Sequence, residues 1–385
     1  MALTKKTRNY IFIAIVAVVA IAVAAAVFVN LSKPAGSGAN QTASSTDASE
    51  DSAQAANDFG GLETYTLEDG TVLPVVHAWT HPGSDASPYV IGDELGFFHD
   101  AGVHVEFTGV IDYDQYLPSV LDGTNDVGDA HPNQLATYIK EGAPVKAVCR
   151  MDIDAVDPAN ATHRHMRYYV RADSPIKTWA DLADYNNGGE IIINGHDPSC
   201  TSFVPNTIFE KNGLDRERIT YIYFGDAEAL QALDLGDIDI AQVHPAYYDL
   251  ADKGGYRLIG DSVDSGVGAA SGTALYFFTE EFIAAHPDVV QSFVNGITLA
   301  QAWIDEPKNW EEAARLTGEA TGLDVVYTHY FSGSTEIIDE DIQFWIDELE
   351  RGGYLKEDEL TVDDLVTKQF YNPEIDWPDL SKSTK

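Results

Sequence analysis

Between Ile193 and Phe203 the chain reads INGHDPSCTSF, which places His196, Asp197, Ser199, Cys200, Thr201 and Ser202 within seven positions. Three chemistries are open to such a set. If a helix starts here, its first N–H groups and the positive end of its dipole favour an anion. Hydroxyls from Ser199, Thr201 and Ser202 would add donors, and carboxylate, sulfonate or phosphonate oxygens would fit the nest. Cys200 could instead be a nucleophile, its pKa lowered by the helix start and a nearby histidine. Imidazole and thiolate also suit zinc or copper. A plain helix cap by Ser199 or Thr201 meets the same pattern.

Two more histidines sit in a repeated context. The segments VLDGTNDVGDAHPNQLATYIKEGAPVKAV and ALDLGDIDIAQVHPAYYDLADKGGYRLI share an order: Leu-Asp and Gly at a helix end, an Asp, His-Pro five positions on, a helix, a glycine and a strand. Asp126 thus precedes His131 as Asp239 precedes His244. The proline suits the first turn of the next helix. The matched spacing predicts two related units, each presenting a His-Pro loop to one cleft. Asp129 and Gln242, each two positions before its histidine, join the candidates. A metal would draw on His131, His196, Cys200 and His244. The plainer reading is that His131 and His244 satisfy backbone groups at strand ends, or hydrogen-bond an anion, charged or neutral near pH ~6.5.

The remaining candidates follow other expected strands. Trp79, Thr80 and His81 end the first, where Trp79 could wall or stack on a flat ligand or simply pack the core. Asp112 and Tyr113 follow the second and could hold a ligand amine, with Asp114 as a helix cap. Ser271 lies in Ala270-Ser-Gly-Thr273, which could offer backbone and hydroxyl donors. Arg164 and Arg167 could clamp a carboxylate or sulfonate, or pair with the excess of acid. The run Ser334–Glu350 sets Ile338, Ile342, Trp345 and Leu349 at helical spacing and reads as a surface helix with no ligand role.

The elements that carry these residues alternate. TVLPVVHAW (71–79), VHVEFTGV (103–110), NDVGDAH (125–131) and APVKAVCRM (143–151) read as strands, with helices over 87–102, 113–123 and 132–142. The pattern repeats with strands EIIIN, ITYIYFG and IDIAQVH and helices over 201–214, 227–236 and 245–255. Strands separated by helices predict parallel α/β sheets, whose ligands bind at the carboxyl ends of strands. Two long extended runs, 166–176 and 272–283, break the rhythm and predict two crossings between two α/β units, a hinge over a cleft.

Composition frames the whole. The net charge is −39, with 62 Asp and Glu against 23 Lys and Arg. Such a surface repels nucleic acid and anionic lipid head groups. Tyr10–Leu31 is uncharged and as long as a membrane-crossing helix, after Lys5, Lys6 and Arg8. It is expected to be an anchor rather than a cleaved signal peptide, whose apolar core is shorter. Residues 1–9 would be a cytoplasmic tail and 32–60, rich in Ser, Ala, Gly, Asn and Asp, a flexible linker. Two cysteines, Cys149 and Cys200, cannot make a disulfide scaffold or a four-cysteine zinc site, although one bridge is open to them.

From ELGFFHDAGVHVEF through LPSVLDGTNDVGDAH, YIKEGAPVKAV, SPIKTWADLADYNNGGEIII, IFEKNGLDRERITYIYF and ALQALDLGDIDIAQVHPAYYDLADKGGYRLIGD to FTEEFIAAHPDVVQSFVNGITLAQAWI, about residues 70–320, the chain resembles the solute-binding proteins of ABC importers. The resemblance is to the nitrate, sulfonate and taurine type, which also includes thiamine-pyrimidine binders. It implies a two-lobed type II periplasmic-binding-protein fold: lobe 1 from 61–165 and 272–385, lobe 2 from 166–271, behind an N-terminal transmembrane helix. With the Tyr10–Leu31 anchor after Lys5, Lys6 and Arg8, the expectation is a monomeric receptor at the cell membrane with its lobes extracytoplasmic. That receptor would bind a sulfonate-, nitrate- or taurine-like anion, or a pyrimidine-like heteroaromatic, without catalysis or cofactor, and would serve a permease and an ATPase. In the family the loop matching INGHDPSCTSF helps hold the ligand. The cysteine-rich iron motif of the thiamine-pyrimidine synthases is missing here, which argues against that branch. A metal or metal-chelate receptor built on the cleft histidines, and a Cys200-dependent enzyme, are the other two readings.

Overall fold

The run VLPVVHAWT forms a strand buried along nearly its whole length. That is what a β-branched run enclosed on both faces does. In the computed structural model, which describes residues 59–375 except 84, 113 and 114, eleven strands are present. They are β1 (Thr64–Thr66), β2 (Val72–Thr80), β3 (His104–Val110), β4 (Val127–Ala130), β5 (Val145–Arg150), β6 (Arg167–Val170), β7 (Ile191–Asn194), β8 (Ile219–Ile222), β9 (Ala241–Val243), β10 (Arg257–Asp261) and β11 (Leu275–Thr279). The expected tail, the Tyr10–Leu31 anchor and all but the end of the linker lie outside the described residues. Among the described residues no helix is long and apolar enough to cross a membrane.

The strands pair in four small sheets, ordered β1-β2-β3, β4-β11-β5, β10-β6-β9 and β7-β8. β6 to β10 pair only among themselves, and β11 returns to lie between β4 and β5. A bridge from Ile193 to Ile240 ties β7 to the run entering β9. The pairs β2–β3 and β7–β8 are parallel, as the alternation predicts. β6 and β11 are antiparallel to both neighbours, so their two sheets are antiparallel, and β1-β2-β3 is mixed. Both strands are reached through irregular segments with short 3-10 turns instead of a crossover α-helix, and it is a helical crossover that keeps successive strands parallel.

Several boundaries differ from expectation: the first extended run stops as a strand at Val170, and the helix expected over 245–255 is a 3-10 turn, Pro245–Tyr247, and a helix, Tyr248–Gly254. The helix predicted over 87–102 is two, Pro88–Glu94 and Phe97–Ala101, split where Gly96 takes φ 77°. The second extended run stops at Thr279, whose hydroxyl accepts the Phe282 N–H at 3.1 Å and starts the helix Glu280–Ala285. Beyond it the chain is helical, chiefly Pro287–Asp305, Trp310–Thr321 and Asp339–Arg351. Tyr89, Phe98, Tyr276, Phe278 and Phe293 form one core, and Tyr168, Trp179, Ile193 and Phe209 another.

The repeated Asp…His-Pro pattern is a repeated structure. Asp126 N–H donates to the His77 carbonyl at 2.9 Å while its carboxylate accepts the His77 N–H at 2.7 Å. Asp239 does the same to Ile192 at 2.8 Å and 2.8 Å. Each aspartate therefore clamps the run into its strand, β4 or β9, against β2 or β7. Each strand then ends at a histidine followed by proline at the head of a helical segment, Pro132–Lys140 or Pro245–Tyr247.

Asp239→Ala leaves the Ile192 N–H without its partner and is expected to lower unfolding stability by about 1–3 kcal/mol in chemical denaturation. A change near zero would show that the clamp does not hold the strand.

Candidate functional site: a cysteine ringed by histidines

β7 leads into the loop through Gly195, whose φ is 142°. A Cβ there would stand 2.7 Å from Gln242 Nε2 and 2.8 Å from Thr201 Oγ1. The buried Gln242 amide donates to the Asn194 and Thr201 carbonyls, fastening β9 to the loop. Ser199 caps the helix Cys200–Lys211 in a reciprocal box with Ser202. The Ser202 hydroxyl also donates to Asp197 at 2.8 Å, Asp197 accepts the Tyr354 hydroxyl at 2.6 Å, and Thr201 Oγ1 accepts the His196 N–H at 3.1 Å. Ser199, Ser202, Asp197 and Thr201 thus bond within the loop or to its neighbours. Cys200, at the first helical position, turns its sulfur to three imidazoles, those of His131, His165 and His244.

Each ring arrives from a different element and is held. His131 Nδ1 donates to the Thr273 carbonyl at 2.8 Å, which leaves Nε2 for the sulfur. Its ring stacks 5.5 Å from Trp345, whose Nε1 donates to the Ala270 carbonyl at 2.9 Å. His244 Nδ1 lies 3.0 Å from an Asp226 oxygen that also accepts the His244 backbone N–H at 2.7 Å. His165 lies before β6, its ring near-perpendicular to those of His131 and His244 at 5.4 and 5.3 Å. Its backbone N–H donates to Asp154 at 3.1 Å, and Asp154 accepts the Ser271 hydroxyl at 2.7 Å. His165 Nε2 is buried without a hydrogen-bond partner among the described residues. Ligand atoms of His131, His165 and Cys200 lie within 4.8 Å of one another.

The electrostatics follow from that enclosure. Burial opposes charge on Cys200, but hydrogen bonding from the three imidazoles outweighs it and holds the thiol well below its ordinary range. Burial also opposes charge on His244, yet Asp226 and Cys200 push it up to about 10. His131 is pushed up to about 9, chiefly by Cys200 against the cost of burial. His165 goes the other way, lowered by burial and by its two charged neighbours despite Cys200.

A second polar group lies nearby. His81 Nε2 is 3.0 Å from Asp85, and His329 is 2.9 Å from Asp152 and 3.7 Å from Asp85. Burial opposes the charge on His81, but Asp85 holds it up at about 9. Burial raises Asp129 to about 6.

The structure therefore brings together three of the four histidine and cysteine residues expected for a metal, His131, Cys200 and His244. His196 is not among them: it is exposed, its ring 5.8 Å from Tyr223. His165 stands where His196 was expected, because the crossing segment and not the Gly195–Ser199 loop faces the sulfur. Trp79 is fully buried against Tyr116, ring centroids 3.9 Å apart, as a core residue. Thr80 is buried and its carbonyl accepts the Ile111 N–H at 3.1 Å; Asp112 is exposed. Tyr113 lies outside the described residues. Gln242 and Ser271 brace the loop and the crossing. Arg164 pairs with Asp261 at 3.4 Å, and Arg167 lies 4.1 Å over the Tyr248 ring, so carboxylates and an aromatic face already engage both. Trp345, expected to have no ligand role, backs His131. Both cysteines are free thiols. His329, Asp85, Asp152 and Asp226 carried no spacing signal that marked them.

The comparisons place this arrangement among periplasmic-binding-protein-like α/β folds. The ligand-binding component of an ABC-type import system from Staphylococcus aureus, with zinc bound, is similar at TM-score 0.60 and 14% identity, covering 79% of this chain and 99% of that one. The periplasmic aliphatic sulphonate binding protein SsuA from Escherichia coli gives 0.58 and 17%, covering 76% and 92%. The desulfurization enzyme DSZB gives 0.50 and 12%, covering 77% and 97%. The model of the NMT1/THI5 like family matches residues 84–309, and the chain belongs to that family. No curated protein matches it.

Two outcomes are expected. Gly272 admits the crossing segments to close approach, since a Cβ there would stand 2.8 Å from Asp154 N and 3.0 Å from His165 Cβ; Gly272→Ala should cost about 1–3 kcal/mol in denaturation. The His81–Asp85 pair should be pH-dependent. His81, raised from 6.5 to about 9, contributes stability present below 6.5 and lost as pH rises through about 9. Asp85, held down to about 2 by His81 against the cost of burial, contributes stability present above 3.8 and lost as pH falls through about 2. The Tm gap between the natural chain and His81→Asn should be widest between 3.8 and 6.5 and close above about 9. A gap flat across pH would refute the pairing.

Proposed function

We propose that the chain is an extracytoplasmic solute-binding receptor of an ABC importer, anchored by Tyr10–Leu31 and serving permease and ATPase subunits. Residues 61–165 with 272–385 form one lobe of this receptor and residues 166–271 the other, and they close on a small ligand. The observation that carries the reading is the convergence of His131 and His244, from matched loops of two separate strand groups, on one centre. Family membership supports it, as do the transport and sulfonate-binding descriptions of the S. aureus and E. coli proteins of this fold. The ligand is a sulfonate-, nitrate- or taurine-like anion or a pyrimidine-like heteroaromatic.

A second reading, a metal or metal-chelate receptor, is favoured by one observation: the Cys200 sulfur faces three imidazoles. Catalysis at Cys200 has less support. A nucleophile needs one activating base and an open approach, whereas this sulfur is enclosed by three rings. The chain accordingly acts as a binding protein and not an enzyme.

Native and denaturing mass spectra of the purified full-length protein test the assignment. A lost organic mass is expected, and re-adding that compound at about 100 times its Kd should add roughly 2.7 kcal/mol of stability. Failure of every anion and heteroaromatic in a thermal-shift panel to stabilise the protein would overturn the organic-ligand reading.

A further inference from the structure

We propose that His131, His165, Cys200 and His244 form a four-coordinate site for a zinc-class divalent transition metal ion. The inference deepens the metal reading above by naming ligands and ion class. It concerns occupancy of the centre, so ligand capture decides the organic-ligand reading separately.

The ligand set is the first argument. One thiolate and three imidazoles are donors that a borderline-soft ion takes in tetrahedral geometry. Ligand atoms around such an ion stand about 3.3–3.6 Å apart for bonds of about 2.0–2.3 Å. The donor atoms of His131, His165 and Cys200 already lie within 4.8 Å of each other, and the His244 ring, 5.3 Å from that of His165, has to swing in to complete the set.

The surroundings are the second argument. Metal-bound imidazoles characteristically donate their other ring N–H to a carbonyl or a carboxylate, which fixes the tautomer and aims the ring. His131 does so to the Thr273 carbonyl at 2.8 Å and His244 to Asp226 at 3.0 Å. These are two different partners on two different elements, with the same consequence that Nε2 is left for the centre. His165, only 8% exposed, has a buried Nε2 with no hydrogen-bond partner among the described residues. An orphaned ring nitrogen in a dry site is costly unless something binds it. Asp154 and Gly272 hold the backbone of His165 in place.

Charge is the third. A divalent ion beside the Cys200 thiolate and the Asp226 carboxylate gives a centre with no net charge, which a buried site tolerates. The ion would join residues from the β4 loop, the first crossing, the β7 loop and the β9 loop, so it would tie the two strand groups together at the crossing.

The test uses the full-length protein, stripped with a chelator and titrated with Co²⁺, then with Zn²⁺. One cobalt per chain is expected, with ligand-field bands of tetrahedral intensity and a near-ultraviolet thiolate charge-transfer band, both removed by Zn²⁺. Cys200→Ser should abolish the charge-transfer band, and His165→Ala should weaken binding at least tenfold. His286→Gln, on the loop before the Pro287–Asp305 helix, should leave both unchanged. Should Cys200→Ser fail to fold, alkylation of the natural chain decides the matter instead: Zn²⁺ should protect Cys200, identified by peptide mass. No bound ion, a bound ion without the thiolate band, or Cys200 alkylated equally with and without Zn²⁺ would each overturn the proposal. Because organic capture is read by mass spectrometry, a protein that retains an organic ligand but binds no cobalt would refute the metal site and leave the receptor standing.

Discussion

A thiol enclosed by three imidazoles has to be held there. Each of those side chains is polar, His165 is buried and the other three are half-buried, and none would stay without partners fixing its orientation. The loop around Cys200 bonds to itself through Ser199, Ser202 and Thr201, leaving the sulfur to face outward. His131 leans on Trp345 and the Thr273 carbonyl, His244 on Asp226, and the His165 backbone on Asp154. Much of the irregular chain near the crossings exists to make those bonds.

The same constraint explains the shared architecture of the two strand groups. In each, an aspartate grips the backbone of a neighbouring strand by two hydrogen bonds, and a His-Pro follows five positions later. The clamp sets the height at which the strand stops, and the proline sets the direction in which the next helix leaves. Two copies of one local solution therefore deliver two imidazoles to one sulfur. A third ring comes from the crossing segment between the groups.

That repeat was legible in the sequence because it is written in residue types with narrow roles, Asp as an acceptor for strand N–H groups and Pro at a helix start. The helix cap at Ser199 and the strand cores were legible for the same reason. His165 carried no such signal, since an irregular segment has no periodicity from which to read a side chain's direction. His329, Asp85 and Asp152 come together from distant stretches with no local spacing, so only the packed chain joins them. Helical spacing places Trp345 on the apolar face of the acidic helix Asp339–Arg351, where it lies, but nothing in that stripe shows that its ring backs an imidazole. His196 misled because proximity in sequence to Cys200 is not proximity of side chains: the loop turns it outward, against Tyr223.

The central claim is that elements from both strand groups meet at one binding centre around Cys200. Anomalous diffraction at the zinc edge, from crystals of the full-length protein grown with zinc, tests it most directly. The account predicts one strong peak about 2.0–2.3 Å from Cys200 Sγ and from a ring nitrogen of each of His131, His165 and His244. Zinc bound elsewhere on the protein, with the Cys200 centre empty, would contradict it.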